Sequence, residues 1–230
     1  AVEKAQRLLG FRARVPLATD AEITLEANPG TFEAAKFRAF RAAGVNRLSI
    51  GIQSFNPRHL KALGRIHDDR QARDAIEIAG ANFDNFNLDL MYGLPEQSPI
   101  EALADVAAAL AFAPPHLSAY HLTIEPNTYF HRYPPALPDD DATAQIEEAL
   151  EARLAAAGYR HYETSAFAQP GRQARHNMGY WTFADYLGIG AGAHSKISFP
   201  ARIARQVRYK QPRQYMESAA AGNAIQEQHD

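Results

Sequence analysis

Strand-like and helix-like segments alternate along the first half of the chain, and this alternation limits the possible folds more than any other feature. The sequence predicts strands at 23–26, 47–50, 86–91 and 117–123. Between them it predicts helices at 32–43, 57 onwards, 70–79 and 98–112. Strands that alternate with helices build βαβ units around a parallel sheet. The predicted fold class is therefore α/β.

Capping residues mark several of the predicted helix ends. Thr31 is a candidate N-cap for the helix at 32–43, and Gly44 is a typical residue just past a helix end. Ser98 and Glu101 have the spacing of a capping box, with a proline at the first helical position. These local signals indicate where the helices begin and end.

The second half of the chain departs from the repeat. In chain order it predicts a loop rich in Pro and Tyr at 126–138, a helix at 139–158 and a strand at 159–167. A Gly-rich aromatic region at 168–200 and a last helix at 212–222 follow. This pattern indicates a smaller region that does not continue the βα units.

Composition excludes several classes of protein. The formal net charge of −2 gives no global basic field, so nucleic acid is not an expected partner. No apolar run reaches the roughly 18 residues that span a bilayer, and the first residues do not resemble a signal peptide. The chain has no cysteine, which excludes disulfides and thiolate metal ligands within it. A cytoplasmic location is the expectation.

Polar side chains lie at the predicted carboxyl ends of all four strands. Glu26, Gln53, Asp89 and Tyr120 are examples, one from each strand end. Strand ends often meet solvent and are polar for that reason alone, but four in succession on an apolar scaffold favour a ligand site. Ligands of parallel α/β folds bind at this edge.

The chemistry of these groups suits a zwitterion that carries a sugar. Glu26 and Asp89 can accept hydrogen bonds from ribose hydroxyls or an ammonium group, and Gln53 can both donate and accept. Arg65 suits a carboxylate, although by itself it fits a surface salt bridge better. No glycine-rich phosphate loop is present, so a nucleoside triphosphate is not expected.

One histidine has an unusual setting. His176 is followed by Tyr180 and Trp181, and an imidazole beside large aromatic faces can ligate haem iron and stack on the macrocycle. From composition alone a structural histidine in an aromatic patch is the favoured interpretation. His194 follows a glycine run that we expect to serve close backbone packing.

Several ordered motifs resemble a known family. They read EANP at 26–29, RLSIGIQSF at 47–55, LGRIH at 63–67 and NLDLMYGLP at 87–95. Together they resemble the radical S-adenosylmethionine (SAM) proteins of the oxygen-independent coproporphyrinogen III oxidase group. The later stretches HNMGYW at 176–181 and YLGIGAGAHS at 186–195 are similar to the haem-chaperone branch of that group.

The resemblance implies a fold and a set of binding residues. Glu26, Gln53, Arg65 and Asp89 fall on positions that contact SAM in the family, and His176 falls on the haem motif as a candidate iron ligand. The implied fold is a partial (β/α)6 TIM-like barrel with a small α+β extension. The implied domains are a partial barrel at 1–133, an extension with the haem-motif region at 134–205 and the start of a helical domain at 206–230.

The family's [4Fe–4S] cluster has no ligands here. Members hold it through three cysteines in a loop after the first strand, and this chain has none. The first ten residues are already helix-patterned with no strand before them, so the expectation is a piece of a longer chain that begins after its cluster loop. As given, the chain is not expected to reduce SAM or to be active alone.

Three functions remain open, in order of preference. The first is a haem chaperone that delivers haem to other proteins, with recipient haem proteins as partners, membrane respiratory enzymes among them, and a homodimer as an option. The second is SAM-dependent oxidative decarboxylation of coproporphyrinogen III. The third is a barrel enzyme without a cluster that shares only the fold.

Overall fold

The computed structural model describes residue 10, residues 15–31 and residues 33–229. The helix pattern of residues 1–9 lies outside the described residues. The chain forms two compact units, Ala1–Gln173 and Ala174–Asp230. The boundaries near residues 133 and 205 that the resemblance implies stay a prediction.

Six strands form one sheet in the first unit. They are β1 (Thr24–Ala27), β2 (Arg47–Gln53), β3 (Phe86–Tyr92), β4 (His116–His121), β5 (Arg160–Glu163) and β6 (Ala166–Ala168). The spatial order is β1-β2-β3-β4-β6-β5. The first four strands pair in parallel, and β6 and β5 extend the sheet in antiparallel pairing. The prediction of βαβ units around a parallel sheet is confirmed.

Helices follow the parallel strands as the pattern predicts. They are α1 (Ala34–Ala42), α2 (Pro57–Ala62), α3 (Asp69–Asn82), α4 (Pro99–Leu110), α5 (Tyr129–Arg132) and α6 (Asp140–Ala156), with a 3-10 turn at Pro29–Thr31. Ser98 and Glu101 form the predicted capping box at the start of α4. The cap predicted at Thr31 is wrong, because Glu33 occupies the N-cap of α1 without a side-chain hydrogen bond.

Two predictions for the second half of this unit also need correction. The single strand predicted at 159–167 is a hairpin of β5 and β6, because the chain turns at Thr164 and Ser165. The predicted loop at 126–138 contains one helical turn, α5, whose N-cap is Thr128. Both errors arise from turns that apolar periodicity does not reveal.

The two faces of the sheet differ in chemistry, and this difference positions the candidate site. Leu48, Ile50, Leu88 and Leu117 alternate onto the outer face, where they are fully buried in the core with the helices. The alternate residues of the same strands form an inner face that is largely polar. They are Glu26, Ser49, Asn87, Asp89, His116, Ser118 and Tyr120. An inner wall of this kind suits a polar ligand better than a hydrocarbon core.

The second unit is a small α+β arrangement. Its elements are α7 (Arg175–Trp181), β7 (His194–Phe199), β8 (Arg202–Arg208), α8 (Pro212–Ala220) and β9 (Ile225–His229). The three strands pair antiparallel in the order β7-β8-β9. None of these strands was predicted, whereas α8 matches the helix predicted at 212–222. Among the described residues, no helix combines the length and the apolar character needed to cross a membrane.

Candidate functional site

The inner face of the first unit opens into a cavity of about 270 Å³. Its lining residues come from four successive parallel strands, and they are Glu26, Ser49, Gln53, Asp89, Met91 and Tyr120. Three of the four residues predicted to hold SAM therefore meet at one cavity. Ser49 and Met91 were missed, although both share the inner-face alternation with predicted residues of their own strands.

The fourth predicted residue, Arg65, lies beside the cavity and not in its lining. It was expected within a helix, but it lies just past the end of α2. Gly64 has a φ of 65°, and its N–H and that of Arg65 bond the carbonyl groups of Lys61 and Leu60. This is a Schellman arrangement, which needs a residue that tolerates the left-handed conformation.

Hydrogen bonds hold the Arg65 guanidinium toward the inner face. Its Nη2 donates to Asn28 Oδ1 at 2.7 Å and to the Gly51 carbonyl oxygen at 2.9 Å. A Cβ at Gly51 would lie 2.9 Å from Gln53 Nε2 and 3.2 Å from Arg65 Nη2, so a side chain there would displace the ends of both of these side chains. Burial lowers the pKa of Arg65, and the nearby Asp89 opposes that shift.

Asp89 lies in the middle of β3, not at its end as predicted. Its Oδ1 accepts a hydrogen bond from Asn87 Nδ2 at 2.7 Å, and its Oδ2 accepts one from Ser49 Oγ at 3.1 Å. Burial raises the pKa of Asp89, hydrogen bonds from Asn87, Ser49 and Ser118 partly offset this, and Glu26 raises it further. The carboxylate is therefore oriented but poorly hydrated.

A buried hydrogen-bond chain fixes the orientation of Asn87. Burial lowers the pKa of His116 to about 3, so its imidazole is neutral at physiological pH. Its two ring nitrogens lie 2.6 Å from Asn87 Oδ1 and 2.7 Å from the Tyr162 hydroxyl oxygen. Asn87 Oδ1 also accepts from Ser118, so the amide nitrogen of Asn87 must point toward Asp89.

These residues fit SAM in part and do not fit an iron–sulfur cluster. Two carboxylates, an amide and a neighbouring guanidinium match a ligand that offers hydroxyl, ammonium and carboxylate groups. Among the described residues, no group of three or more His, Cys, Asp or Glu side chains is placed to hold a metal ion. Since the chain also has no cysteine, it supplies no thiolate for a cluster.

His176 lies in the second unit, on the exposed surface of α7. Its ring contacts Tyr180 edge-on at 4.9 Å between centroids, and Tyr180 contacts Tyr186 at 4.8 Å. Trp181 on the same helix is 59% exposed. An accessible imidazole beside aromatic rings fits the binding of a flat, largely apolar macrocycle.

Within the glycine run before His194, Gly188 serves close backbone packing, as predicted. A Cβ at Gly188 would lie 2.1 Å from the carbonyl oxygen of His194, so the two backbones touch. The Gly188 N–H also donates to Ser195 Oγ at 3.0 Å. The His194 side chain is exposed at the start of β7.

Comparisons with known proteins identify the class. Residues 2–108 match the model of the Radical SAM superfamily. The whole described fold superposes on coproporphyrinogen III oxidase (HemN) from Escherichia coli, a radical SAM enzyme, with a TM-score of 0.85. That match covers 100% of this chain and 56% of HemN at 24% identity, so it carries the fold alone. Residues 2–108 of the chain thus form a radical SAM region, and the predicted α/β fold class with a parallel sheet is confirmed.

Within this superfamily the chain is similar to proteins described as heme chaperone HemW. It is 55% identical to the one from Escherichia coli over 223 residues, which are 96% of this chain and 58% of that protein. It is 49% identical to the one from Haemophilus influenzae over 92% of this chain and 56% of that protein. The resemblance inferred from the motifs is confirmed. The chain spans somewhat more than half the length of these relatives.

Proposed function

We propose that this chain is part of a haem chaperone of the radical SAM superfamily, with a SAM-facing wall in its first unit and a haem-binding surface in its second. The convergence of Glu26, Gln53 and Asp89 on one polar cavity carries the SAM part of the proposal. The similarity to HemW proteins at up to 55% identity supports the chaperone part. Superfamily membership implies SAM and a [4Fe–4S] cluster, and the cluster's ligands would come from outside this chain.

Each residue of the proposed SAM wall has a distinct role. Asp89, held by Asn87 and Ser49, and Glu26 accept hydrogen bonds from hydroxyl groups or an ammonium group. Gln53 offers both a donor and an acceptor, and Arg65 offers a positive charge for a carboxylate. When bound together, SAM and the cluster supply one-electron chemistry. The residues of this chain bind and orient SAM.

His176 is the proposed axial ligand of haem iron. Its imidazole is exposed, and Tyr180 and Trp181 provide aromatic surface on the same helix. A surface site of this kind suits a carrier, because it leaves a bound haem accessible to a recipient protein. Recipient haem proteins, membrane respiratory enzymes among them, and a homodimer belong to this proposal, as does a cytoplasmic location.

Oxygen-independent coproporphyrinogen III oxidation is the second candidate function. The similarity of the fold to HemN favours it. The support for this function is weaker, because a similarity at 24% identity indicates a shared fold and not a shared substrate.

A titration of the whole protein with haem tests the chaperone proposal. The His176→Ala variant is expected to bind haem at least about tenfold more weakly, with a changed Soret band, because the iron loses an axial ligand. His229→Ala, an exposed histidine in the same unit, is the matched control and should bind like the wild type.

Two results would contradict the proposal. One is wild-type affinity and spectrum in His176→Ala. The other is SAM-dependent formation of protoporphyrinogen by the whole protein with its cluster in place, which would promote the second function.

A further inference from the structure

The backbone at Gln53 has a conformation that residues with a Cβ rarely adopt. Its φ is 69°, and the N–H of Ser54 bonds the Ile52 carbonyl oxygen at 2.9 Å across it, so the chain makes a γ-turn. The register between β2 and β3 slips by one residue at the same place, between Gly51 and Gln53. Conformations of this kind persist only when the surrounding structure holds them.

A buried carboxylate from another element binds the backbone directly after this turn. Asp105 on α4 accepts from Ser54 Oγ at 2.6 Å through Oδ2 and from the Phe55 N–H at 2.7 Å through Oδ1. The N–H of Asn56 donates to the same Ser54 Oγ at 3.0 Å. Both oxygens of Asp105 are therefore committed to residues 54 and 55, and Asp105 itself is 4% exposed.

The burial of the Asp105 carboxylate has an electrostatic cost, which its hydrogen bonds offset in part. Burial raises the pKa of Asp105, and the hydrogen bonds from Ser54 and Phe55 lower it again in part. Asp105 lies on the helix side of the sheet and is not part of the cavity lining. Its hydrogen bonds go to Ser54 and Phe55, the two residues directly after Gln53. Gln53 itself lines the cavity.

We infer that Asp105 is a positioning residue that holds the strained turn and so aims the Gln53 amide into the cavity. Without these two hydrogen bonds the turn relaxes to an ordinary extended strand end. A change of that kind in φ swings the Gln53 side chain away from its place beside Gly51. The inference rests on the proposed function in one respect, namely that the ligand of the cavity is SAM.

A double-mutant cycle on the whole protein tests the inference, with SAM as the probe and calorimetry as the measurement. Asp105→Ala is expected to weaken SAM binding about tenfold when Gln53 is present and less than about twofold when Gln53 is already alanine. Asp105→Asn, which keeps one acceptor, should recover most of the affinity. Asp74→Ala, a helix carboxylate on the surface, is the matched control and should change nothing.

Equal losses in both backgrounds would overturn the inference, because Asp105 would then act without Gln53. If Asp105→Ala does not fold, Ser54→Ala removes one of the two hydrogen bonds and takes its place in the cycle.

A second cycle, on urea unfolding, separates this inference from the proposed function. Gln53→Gly relieves the strain and is expected to raise the unfolding midpoint of the wild type, but to do so much less in Asp105→Ala, where the strain has already gone. Equal increases of the unfolding midpoint in the wild type and in Asp105→Ala would contradict the inference that Asp105 holds the strained turn. If the two increases differ while Gln53→Ala leaves SAM affinity unchanged, Asp105 does hold the strained turn. The proposed role of Gln53 toward SAM is then wrong.

Discussion

Under the proposed function, Asp89 would serve a ligand at the expense of the stability of the free protein. Its carboxylate is buried on the inner face and oriented by Asn87 and Ser49. Because burial raises its pKa, ionisation is less favourable in the folded than in the unfolded chain. The protonated Asp89 carboxyl therefore favours folding. This contribution to stability is lost as the pH rises through the raised folded-state pKa of Asp89. At neutral pH the charge is a cost.

The Asp89→Asn variant is expected to separate the two effects. SAM affinity should fall about tenfold, because one of the two acceptor oxygens becomes an NH2 donor and the negative charge is lost. Stability at pH 7 should rise by about 1 kcal/mol, because the buried charge is gone. Calorimetry and urea unfolding measure the two quantities. Asp84→Asn, whose side chain is 93% exposed, should change neither, and unchanged SAM affinity in Asp89→Asn would remove Asp89 from the proposed site.

The chemistry of individual residues was easier to predict than their geometry. Carboxylates and an amide at the predicted strand ends, together with an arginine in the helical region after the second strand, indicated a zwitterionic ligand. The strand alternation could have added Ser49 and Met91. The turn at Gln53 and its hydrogen bonds with Asp105 could not be predicted. They join residues about fifty positions apart, and no local pattern encodes the contact.

At the scale of elements, local chemistry predicted the parallel strands and the start of α4 well, other helix ends less well, and the short strands poorly. The capping box at Ser98 and the four parallel strands follow from short-range signals: cap spacing and buried apolar residues. The strands of the second unit were missed because β8, RIARQVR, and β9, IQEQH, carry few apolar residues. Pairing between strands, not apolar periodicity, establishes those elements.

The start of α4 offers a test at this scale. Ser98 Oγ accepts from the Glu101 N–H at 3.3 Å, and Glu101 Oε2 accepts from the Ser98 N–H at 2.9 Å. Ser98→Ala should lower the free energy of unfolding by about 1 kcal/mol. Ser98→Thr keeps the acceptor and should stay near the wild type. A Ser98→Ala protein as stable as the wild type in urea would mean that the box adds nothing to α4.

For the whole molecule, buried histidines contribute to the loss of stability in acid. Burial first, and the charge of Arg47 second, lower the pKa of His116 from 6.5 to about 3. Between these values the unfolded chain binds a proton that the folded protein does not, so stability is lost as the pH falls. Burial also lowers the pKa values of His59 and His67, which act in the same direction. The raised pKa values of Asp89 and Asp105 oppose the trend.

Replacing His116 isolates its share of this response. The wild type is expected to lose about 3 kcal/mol through His116 between pH 7 and pH 4, and His116→Gln should not show that part of the loss. Urea unfolding at several pH values gives both curves. His131→Gln, an exposed histidine, should follow the wild-type curve. Parallel curves for the wild type and His116→Gln would show that His116 does not titrate as its burial requires.

Under the proposed function, the polar inner wall of the first unit would make a bound ligand a structural component. In a closed, packed barrel, the inward-facing residues of the strands are apolar side chains that pack against one another. Here the inner-face residues of β1 to β4 are carboxylates, amides, hydroxyls and an imidazole. An occupant that satisfies them takes the place of a core layer. By mass action, a ligand at one hundred times its dissociation constant adds about 2.7 kcal/mol to stability. The cellular concentration of that small molecule would then regulate how much of the protein is folded, as well as how much of it is loaded.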